Sequence, residues 1–259
     1  SWTVSNSQIS GFEPRGSGFG KNASGNPLWM AVGAQYNAAN ATSMASTTDG
    51  INWTRSSALG DGVFKDCAYG QGTWVAVGNS IMKWSSNGGL TWNVGSYFSA
   101  DSVSYGGGLW IAGGEQASYV SRDGRNWTLE SGLPATGTVP RAAYGNGRWV
   151  VGQGSQIRSS TDGVTWSAIS SPVGLPQGVA YGSGTWLIGG NGGTIATSPD
   201  GETWTTIGSS TSGLPASTAI TNVAAGNGRF VASSNFRVVA AGQVTTGLSG
   251  TTTISAANG

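Results

Sequence analysis

Carboxylates recur along this sequence in a seven-residue pattern, Ser/Thr-x-Asp-Gly-x-Asn/Thr-Trp. Four copies contain Asp49, Asp123, Asp162 and Asp200, and a fifth, aligned over residues 86–92, has Asn87 in the Asp position. A pair of carboxylates could act as acid and nucleophile in glycoside hydrolysis. The copies are about 38 residues apart, however, so each belongs to a different repeat. A short carboxylate ahead of Gly typically accepts hydrogen bonds from backbone N–H groups of a turn. We therefore predict a structural role for all five residues.

Other catalytic and metal-binding side chains are scarce. The chain has no histidine and a single cysteine, Cys67. This excludes a His-based zinc site, a Ser-His-Asp triad, a Cys-His pair and an internal disulfide. We expect Cys67 to be a small buried apolar residue. We also expect no catalytic residue, no metal and no cofactor, and therefore a protein that is not an enzyme.

The charge of the chain limits its partners. The formal net charge is +1, from 12 Lys and Arg against 11 Asp and Glu, and only 9% of residues are charged, compared with roughly 25% in an average protein. Such a chain has no basic or acidic field to attract nucleic acid or an anionic membrane. Its apolar runs are far shorter than the roughly 20 residues of a membrane helix. We expect no nucleic-acid partner and no membrane insertion.

A second pattern, Gly-x-Gly-x-Trp followed by small and branched residues, alternates with the first. Its aromatic residue lies at positions 29, 74, 110, 149, 186 and 230, and the Trp of the first pattern at 53, 92, 127, 166 and 204. Gly and Asp-Gly between short β-branched or aromatic runs signal hairpins. Four short antiparallel strands in a repeat of about 40 residues are typical of a β-propeller blade. The sequence therefore predicts an all-β, six-bladed β-propeller of four-stranded antiparallel blades.

The two ends of the chain bear on how such a ring closes. The last repeat lacks an Asp-Gly-x-x-Trp segment, and residues 1–4 are similar to the last strand of a repeat without the strands before it. We predict that this N-terminal strand completes the last blade and closes the ring. Residues 1–242 are then the propeller. Residues 243–259, rich in Ser, Thr and Gly, form a C-terminal tail or a linker.

The Asp-Gly-Trp copies resemble Asp-boxes, also called BNR repeats. That family carries them at the turn between the third and fourth strands of propeller blades in sialidases, other glycosidases, lectins, sorting receptors and photosystem assembly factors. The resemblance covers five of the six repeats. It implies a β-propeller of the sialidase and lectin kind without an evident catalytic set. In four copies Gly follows Asp directly, whereas the commonest Asp-box has one residue between them, and the fifth copy is closest to that form.

Ligand binding is expected in the loops opposite the Asp-boxes, because these loops differ between repeats. Three candidates are taken from the third strand of their repeats, two residues before the aligned Ser of the Asp-box: Trp84, Tyr119 and Arg158. Three more lie in a loop or at the start of a first strand: Tyr97, Asp101 and Arg141. The aromatic rings would stack on apolar sugar faces, and the polar groups would hold hydroxyls.

Two further features lie in the segments between repeats. Polar residues begin most first strands and should surround the central opening of the ring: Arg15, Lys65, Asp66, Gln177 and Asn222, together with Asp101 and Arg141. A Gly-Leu-Pro segment occurs three times, once at residues 174–176. We expect it to be only a rigid turn.

These features favour a non-catalytic recognition module that binds a carbohydrate or a cell-surface receptor. The absence of histidine, together with abundant Gly, Ser, Thr and Trp, resembles bacterial or phage exported β-proteins. The predicted location is therefore extracellular or on a virion surface, with other subunits of a virion or fibre as further partners. An alternative is a structural or decoration propeller of such an assembly. A sialidase-like glycosidase is the least favoured, since it needs an acid, a nucleophile and an arginine cluster.

Overall fold

The computed structural model describes residues 12–35, 43–133, 139–208, 217–226, 228–234 and 237–243. The chain divides into two compact units, Ser1–Ala135 and Thr136–Gly259. Within the described residues every regular element is a β-strand, and each sheet is a meander of strands that are consecutive in the chain. No described residue belongs to a helix that could cross a membrane.

In its described part, the first unit contains three four-stranded antiparallel sheets. Sheet 1 consists of β1 (Phe12–Lys21), β2 (Pro27–Gln35), β3 (Met44–Thr47) and β4 (Thr54–Ser56). Sheet 2 consists of β5 (Phe64–Gly70), β6 (Thr73–Gly78), β7 (Ile81–Ser85) and β8 (Asn93–Val94). Sheet 3 consists of β9 (Ser102–Gly106), β10 (Leu109–Gly113), β11 (Ser118–Ser121) and β12 (Thr128–Leu129).

The described part of the second unit contains two four-stranded sheets and one of three strands. Sheet 4 consists of β13 (Arg141–Gly145), β14 (Arg148–Gln153), β15 (Gln156–Ser160) and β16 (Ser167–Ser170). Sheet 5 consists of β17 (Gly174–Gly182), β18 (Thr185–Asn191), β19 (Ile195–Ser198) and β20 (Thr205–Ile207). Sheet 6 consists of β21 (Ile220–Gly226), β22 (Arg229–Ser234) and β23 (Arg237–Gln243).

Antiparallel pairing gives each sheet two distinct ends. The first and third turns of a sheet lie at one end, which we call the Asp-box end, where Asp-box is our label for the five Asp-Gly-Trp copies and implies no family relationship. The second turn and the link to the next sheet lie at the opposite end, which we call the link end. A side chain is therefore assigned to one end by its place in the repeat.

The core of each unit lies between consecutive sheets. In the first unit, Met30 and Val32 of sheet 1 pack with Phe64 and Trp74 of sheet 2 in one buried cluster. The second strand of a sheet is consequently buried on both faces, as in β6, where all six residues are buried. The same arrangement in the second unit packs Ile195 of sheet 5 with neighbours in sheet 6. This double burial explains why the second strands carry Trp followed by small and branched residues.

Glycine and aromatic residues fit together where first strands of consecutive sheets meet. The Gly70 backbone lies under the ring of Tyr105 so closely that a Cβ atom there would overlap the ring, and Gly145 lies under Tyr181 in the same way. Trp74 Nε1 also donates a hydrogen bond to the carbonyl of Lys21 in sheet 1, at 2.9 Å. The repeated Tyr-Gly and Gly-x-Trp residues thus join neighbouring sheets within a unit.

The structure confirms the all-β class and the four-stranded antiparallel sheets. The third strand expected in the last repeat is present as β23, and Gln243, which we had assigned to the tail, is its last residue. The predicted closing strand at residues 1–4 and the tail from residue 244 onward lie outside the described residues. Cys67 is buried, as its position in β5 suggested.

Candidate functional site

The carboxylates of the Asp-boxes bind their own turns. Asp123 Oδ1 accepts hydrogen bonds from the backbone N–H groups of Arg125 and Asn126, both at 2.8 Å. The Ser121 hydroxyl donates to the same oxygen at 3.0 Å and accepts the N–H of Gly124 at 2.9 Å. The corresponding bonds form around Asp49, Asp162 and Asp200. Each of these aspartates therefore lies at the Asp-box end with its Oδ1 committed to holding a turn.

These hydrogen bonds make the stability of the turns depend on pH. The backbone N–H groups of Thr203 and Glu202 lower the pKa of Asp200 from 3.8 to about 2. Since the folded-state pKa is lower than the unfolded one, the ionised form favours folding. The contribution is complete above about pH 4 and is lost as the pH falls to about 2.

We therefore expect the urea midpoint of the wild-type protein to fall between about pH 4 and pH 2. Asp200→Asn keeps an acceptor oxygen but removes the titration, so its midpoint should fall less over this range. Identical pH profiles for the two proteins would show that the Asp200 turn does not contribute. Asp61→Asn, at an exposed carboxylate outside the Asp-boxes, is the matched control.

The fifth Asp-box is aligned one residue earlier than the sequence pattern indicated. The hydroxyl of Ser85, not that of Ser86, donates to Asn87 Oδ1 at 2.9 Å and accepts the N–H of Gly89 at 3.0 Å. The strand pairing agrees, because Ser85 lies opposite Trp74 as Ser121 lies opposite Trp110. This copy therefore contains one extra residue between Asn87 and its turn glycine.

The corrected alignment moves Trp84 out of the predicted set of equivalent positions. Trp84 lies opposite Val75, which is the place of Val120 in sheet 3, and Lys83 takes the place that Tyr119 has there. The Trp84 ring is half-buried and packs on the Arg125 guanidinium, 4.3 Å from the ring centroid. One face of the Trp84 ring is therefore covered by Arg125. The alignment that singled out Trp84 was one residue off, and its role in stacking on a sugar stays a prediction.

Tyr119 and Lys83 point toward the link that precedes their sheet. The Tyr119 ring stacks on Phe98, with centroids 4.1 Å apart and planes 19° apart. Lys83 Nζ donates to the carbonyl of Leu59 at 2.7 Å. Both side chains therefore attach the link to the sheet that follows. One face of the Tyr119 ring is therefore covered by Phe98, and sugar stacking at Tyr119 stays a prediction.

Of the remaining candidates in the first unit, Tyr97 projects from the surface and Asp101 is paired. Tyr97 is 80% exposed. Asp101 forms an ion pair with Lys65, so two of the charged residues at first-strand starts neutralise each other. Asp66 Oδ2 accepts the N–H of Val103 at 3.0 Å. Among the predicted residues at the link end of this unit, Tyr97 therefore has an exposed aromatic ring, whereas the charge of Asp101 is neutralised by Lys65.

A pocket of about 250 Å³ opens at the link end of the second unit. It lies between the start of β13, the second turn of sheet 4 and the start of β17, and it is lined by Val139, Arg141, Gly154, Leu175, Pro176 and Gln177. Two of these residues, Arg141 and Gln177, were predicted from the sequence to surround the central opening of the ring. Arg158 is not in the lining, and its Nη2 donates to Gln156 Oε1 at 3.2 Å.

Arg141 is the charged member of the pocket. It is half-buried at the first residue of β13. Among the described residues it has no hydrogen-bond or ion-pair partner. All three carboxylates after residue 136, Asp162, Asp200 and Glu202, belong to Asp-boxes at the opposite end of the sheets. The guanidinium therefore faces the pocket without a counter-charge from the described part of its own unit.

Leu175 forms the opposite wall in a conformation that L-residues rarely adopt. Its φ is +45°, it precedes Pro176, and its side chain is 42% exposed. Positive φ at a bulky residue is unfavourable and is concentrated at functional sites. The pairing of β17 with β18 is also irregular between Gly174 and Gly178. The Gly-Leu-Pro segment is thus more than the rigid turn that we expected, because it supplies an apolar wall of the pocket.

Four pocket residues were not predicted from the sequence: Val139, Gly154, Leu175 and Pro176. Only the recurrence of Gly-Leu-Pro in the links marked this segment. Its conformation depends on a β-bulge, which has no sequence signal of its own. Lys83 was missed because the extra residue in the fifth Asp-box shifted the alignment.

Comparison with known families places the pocket within a recognised domain. The family described as the DUF6242 beta propeller domain matches residues 99–229, which is 131 of the 259 residues. The chain belongs to the DUF6242 beta propeller family. The DUF6242 match includes every residue that lines the pocket. It confirms the β-propeller part of the Asp-box resemblance, while a sialidase- or lectin-like relationship stays a prediction.

Solved structures similar to this DUF6242 chain are also propellers. YCF48 bound to D1 peptide is 19% identical, with a TM-score of 0.60 over 85% of this chain and 74% of that chain. Catalytically inactive virginiamycin B lyase from Staphylococcus aureus with quinupristin is 12% identical, with a TM-score of 0.71 over 96% and 85%. The WD40 beta propeller domain of Doa1 is 12% identical, with a TM-score of 0.61 over 85% and 75%. At these identities the likeness shows the fold alone. No curated protein matches the sequence.

Proposed function

We propose that this chain is a non-catalytic recognition module that binds a protein partner at the link end of its second unit. The observation that carries the proposal is the pocket lined by the exposed Leu175 and by Arg141, which has no ion-pair partner among the described residues. Its volume of about 250 Å³ is below the range for small-molecule sites, roughly 300–1,000 Å³. Such a pocket suits one or two side chains of a larger partner. No carboxylate is among the described lining residues, so they offer no general acid or base of that kind.

The similar structures are compatible with this role but do not decide it. One is a propeller with a bound peptide and another is a lyase, so the same fold carries binding and catalysis. Function depends on the site rather than on the fold. An extracellular or virion-surface location, with subunits of a virion or fibre as further partners, is proposed from composition alone.

A carbohydrate ligand is the second candidate, and the exposure of Tyr97 favours it. Tyr97 is 80% exposed at the link end of the first unit. An exposed aromatic ring of this kind could stack on a sugar. The other two aromatic candidates, Trp84 and Tyr119, already pack on Arg125 and Phe98. Protein binding is therefore preferred to glycan binding.

The test is to screen the full chain against a random peptide library and a glycan array, and to assay it on chromogenic glycosides. We expect peptides to be enriched, no glycoside to be cleaved, and enrichment to be lost in Leu175→Gly. Glycine adopts positive φ without strain, so this variant removes the side chain and keeps the fold. Leu90→Gly, at an exposed leucine of an Asp-box turn, is the control. Failure to enrich any peptide, or glycoside cleavage, would contradict the proposal.

We also propose the finer fold prediction, a six-bladed propeller whose last blade is completed by the N-terminal strand predicted from the sequence. Support comes from the number of strands: sheets 1 to 5 have four strands each, whereas the described part of sheet 6 has three.

Deletion of residues 1–5 should then lower the melting temperature, because the last sheet loses a strand and exposes an edge. Differential scanning calorimetry measures the change. An unchanged melting temperature in the truncated protein would contradict this prediction.

A further inference from the structure

The pocket around Arg141 specifies the chemistry of its ligand beyond the binding role proposed above. Arg141 is half-buried, has no acceptor among the described residues, and faces a lining without a carboxylate. A guanidinium presents N–H donors in a fixed planar fork that matches the two oxygens of a carboxylate. Partial burial strengthens such a pair relative to bulk water. Within the described residues, the Arg141 guanidinium is therefore a donor group suited to bind a carboxylate.

The remaining lining distinguishes a carboxylate from other anions. A phosphate carries up to two charges and is usually met by several cations or by a row of backbone N–H groups. Arg141 is the single charged residue of this lining. One guanidinium balances one carboxylate. The anion is therefore expected to carry a single charge.

The apolar walls distinguish a peptide from an acidic sugar. Val139 and the exposed Leu175 offer aliphatic surface to the pocket, with Pro176 buried in its wall. Gln177 offers an amide that can pair with a peptide group. No aromatic ring, the usual platform for a sugar face, is among the described lining residues. An extended peptide with a carboxylate next to an aliphatic side chain matches this lining. Its carboxylate would pair with Arg141, its aliphatic side chain would contact Leu175, and its amides would pair with Gln177.

Leu175 gives an independent indication that the pocket is built for contact. Its side chain is held 42% exposed at the pocket wall by a backbone with φ of +45°. The neighbouring backbone is closely packed, because a Cβ atom at Gly152 would lie 2.8 Å from the carbonyl oxygen of Pro176. The wall is thus fixed in position before any ligand binds, which reduces the entropy cost of binding.

We propose that this pocket binds a carboxylate of an extended peptide segment, with Arg141 as the ion-pair partner and Leu175 as the apolar contact. The carboxylate is either the C-terminal group of the partner or an Asp or Glu side chain. This inference rests on the proposed recognition function, and it adds the class of ligand to it.

The test uses two phage-displayed random peptide libraries selected on the full wild-type chain. One library ends in a free C-terminal carboxylate, and the other has both ends blocked by fusion, so that only side-chain carboxylates remain. We expect enriched peptides to carry a carboxylate beside an aliphatic residue, and the library that yields them identifies its source. Synthetic copies should bind Arg141→Gln about ten- to hundredfold more weakly, as is typical for loss of a hydrogen bond to a charged group. Arg229→Gln, at an exposed arginine of the Asp-box end, should bind normally.

The outcomes separate this inference from the proposed function. Peptides that lose binding in Leu175→Gly, lack a carboxylate and bind Arg141→Gln as well as wild type would overturn the carboxylate inference and leave the recognition role standing. Binding of glucuronate oligosaccharides that is lost in Arg141→Gln, without any peptide, would replace the peptide by an acidic sugar and overturn the inference. No enrichment from either library would contradict both proposals.

Discussion

Trp74→Ala is expected to lower the free energy of unfolding by about 3–5 kcal/mol, the usual cost of truncating a large buried aromatic residue. Trp74 is fully buried between sheets 1 and 2, within the cluster that includes Met30 and Phe64. The substitution also removes the hydrogen bond from Nε1 to the carbonyl of Lys21. The cavity would lie between two rigid sheets that cannot close over it.

Chemical denaturation followed by tryptophan fluorescence measures this effect. Leu129→Ala is the control, since its side chain is 66% exposed and surface changes usually cost less than about 0.5 kcal/mol. If Trp74→Ala were no more costly than Leu129→Ala, the buried tryptophan would not be what joins the two sheets.

Gly70→Ala is expected to destabilise the protein by about 1–3 kcal/mol, as overpacking of a filled core does. Gly70 ends β5, and a Cβ atom there would overlap the ring of Tyr105 in sheet 3. The ring cannot move freely because it also packs on Trp110, with centroids 4.8 Å apart. The added methyl group therefore forces sheets 2 and 3 apart.

A double-mutant cycle tests this cause directly. In a Tyr105→Ala background the ring is absent, so Gly70→Ala should cost little there, and the difference between the two backgrounds is the coupling energy. An equal cost in both backgrounds would show that the backbone of Gly70, rather than its contact with Tyr105, is responsible.

The repeats were predictable because each turn and each buried strand requires particular residue types at fixed spacing. Short turns demand Asp-Gly or Gly pairs, and doubly buried strands demand aromatic and branched residues, so residues such as Asp123 and Trp110 carry local signals. The fold class follows from these signals alone. A single extra residue between Asn87 and Gly89 broke the alignment of one repeat, and the hydrogen bonds of Ser85 together with the strand pairing located it.

The pocket was only partly predictable, for a different reason. Arg141 and Gln177 were identifiable because they lie three or four residues before the Tyr-Gly of a first strand, where variable polar residues recur. Leu175 was not, because its exposure follows from a bulge and a positive φ that arise when β17 pairs with β18. Likewise, the stacking of Phe98 on Tyr119 could not be predicted, because the two residues belong to different elements and no sequence pattern pairs them.

Hydrogen–deuterium exchange of the full chain, with and without a peptide selected on it, tests the central claim most directly. The account predicts slower exchange on binding in residues 139–141 and 174–177, which form the walls of the pocket, and unchanged exchange in the Asp-box turns at Asp162 and Asp200. Slower exchange at the Asp-box turns with no change around Arg141 would contradict it, because recognition would then take place at the opposite end of the sheets.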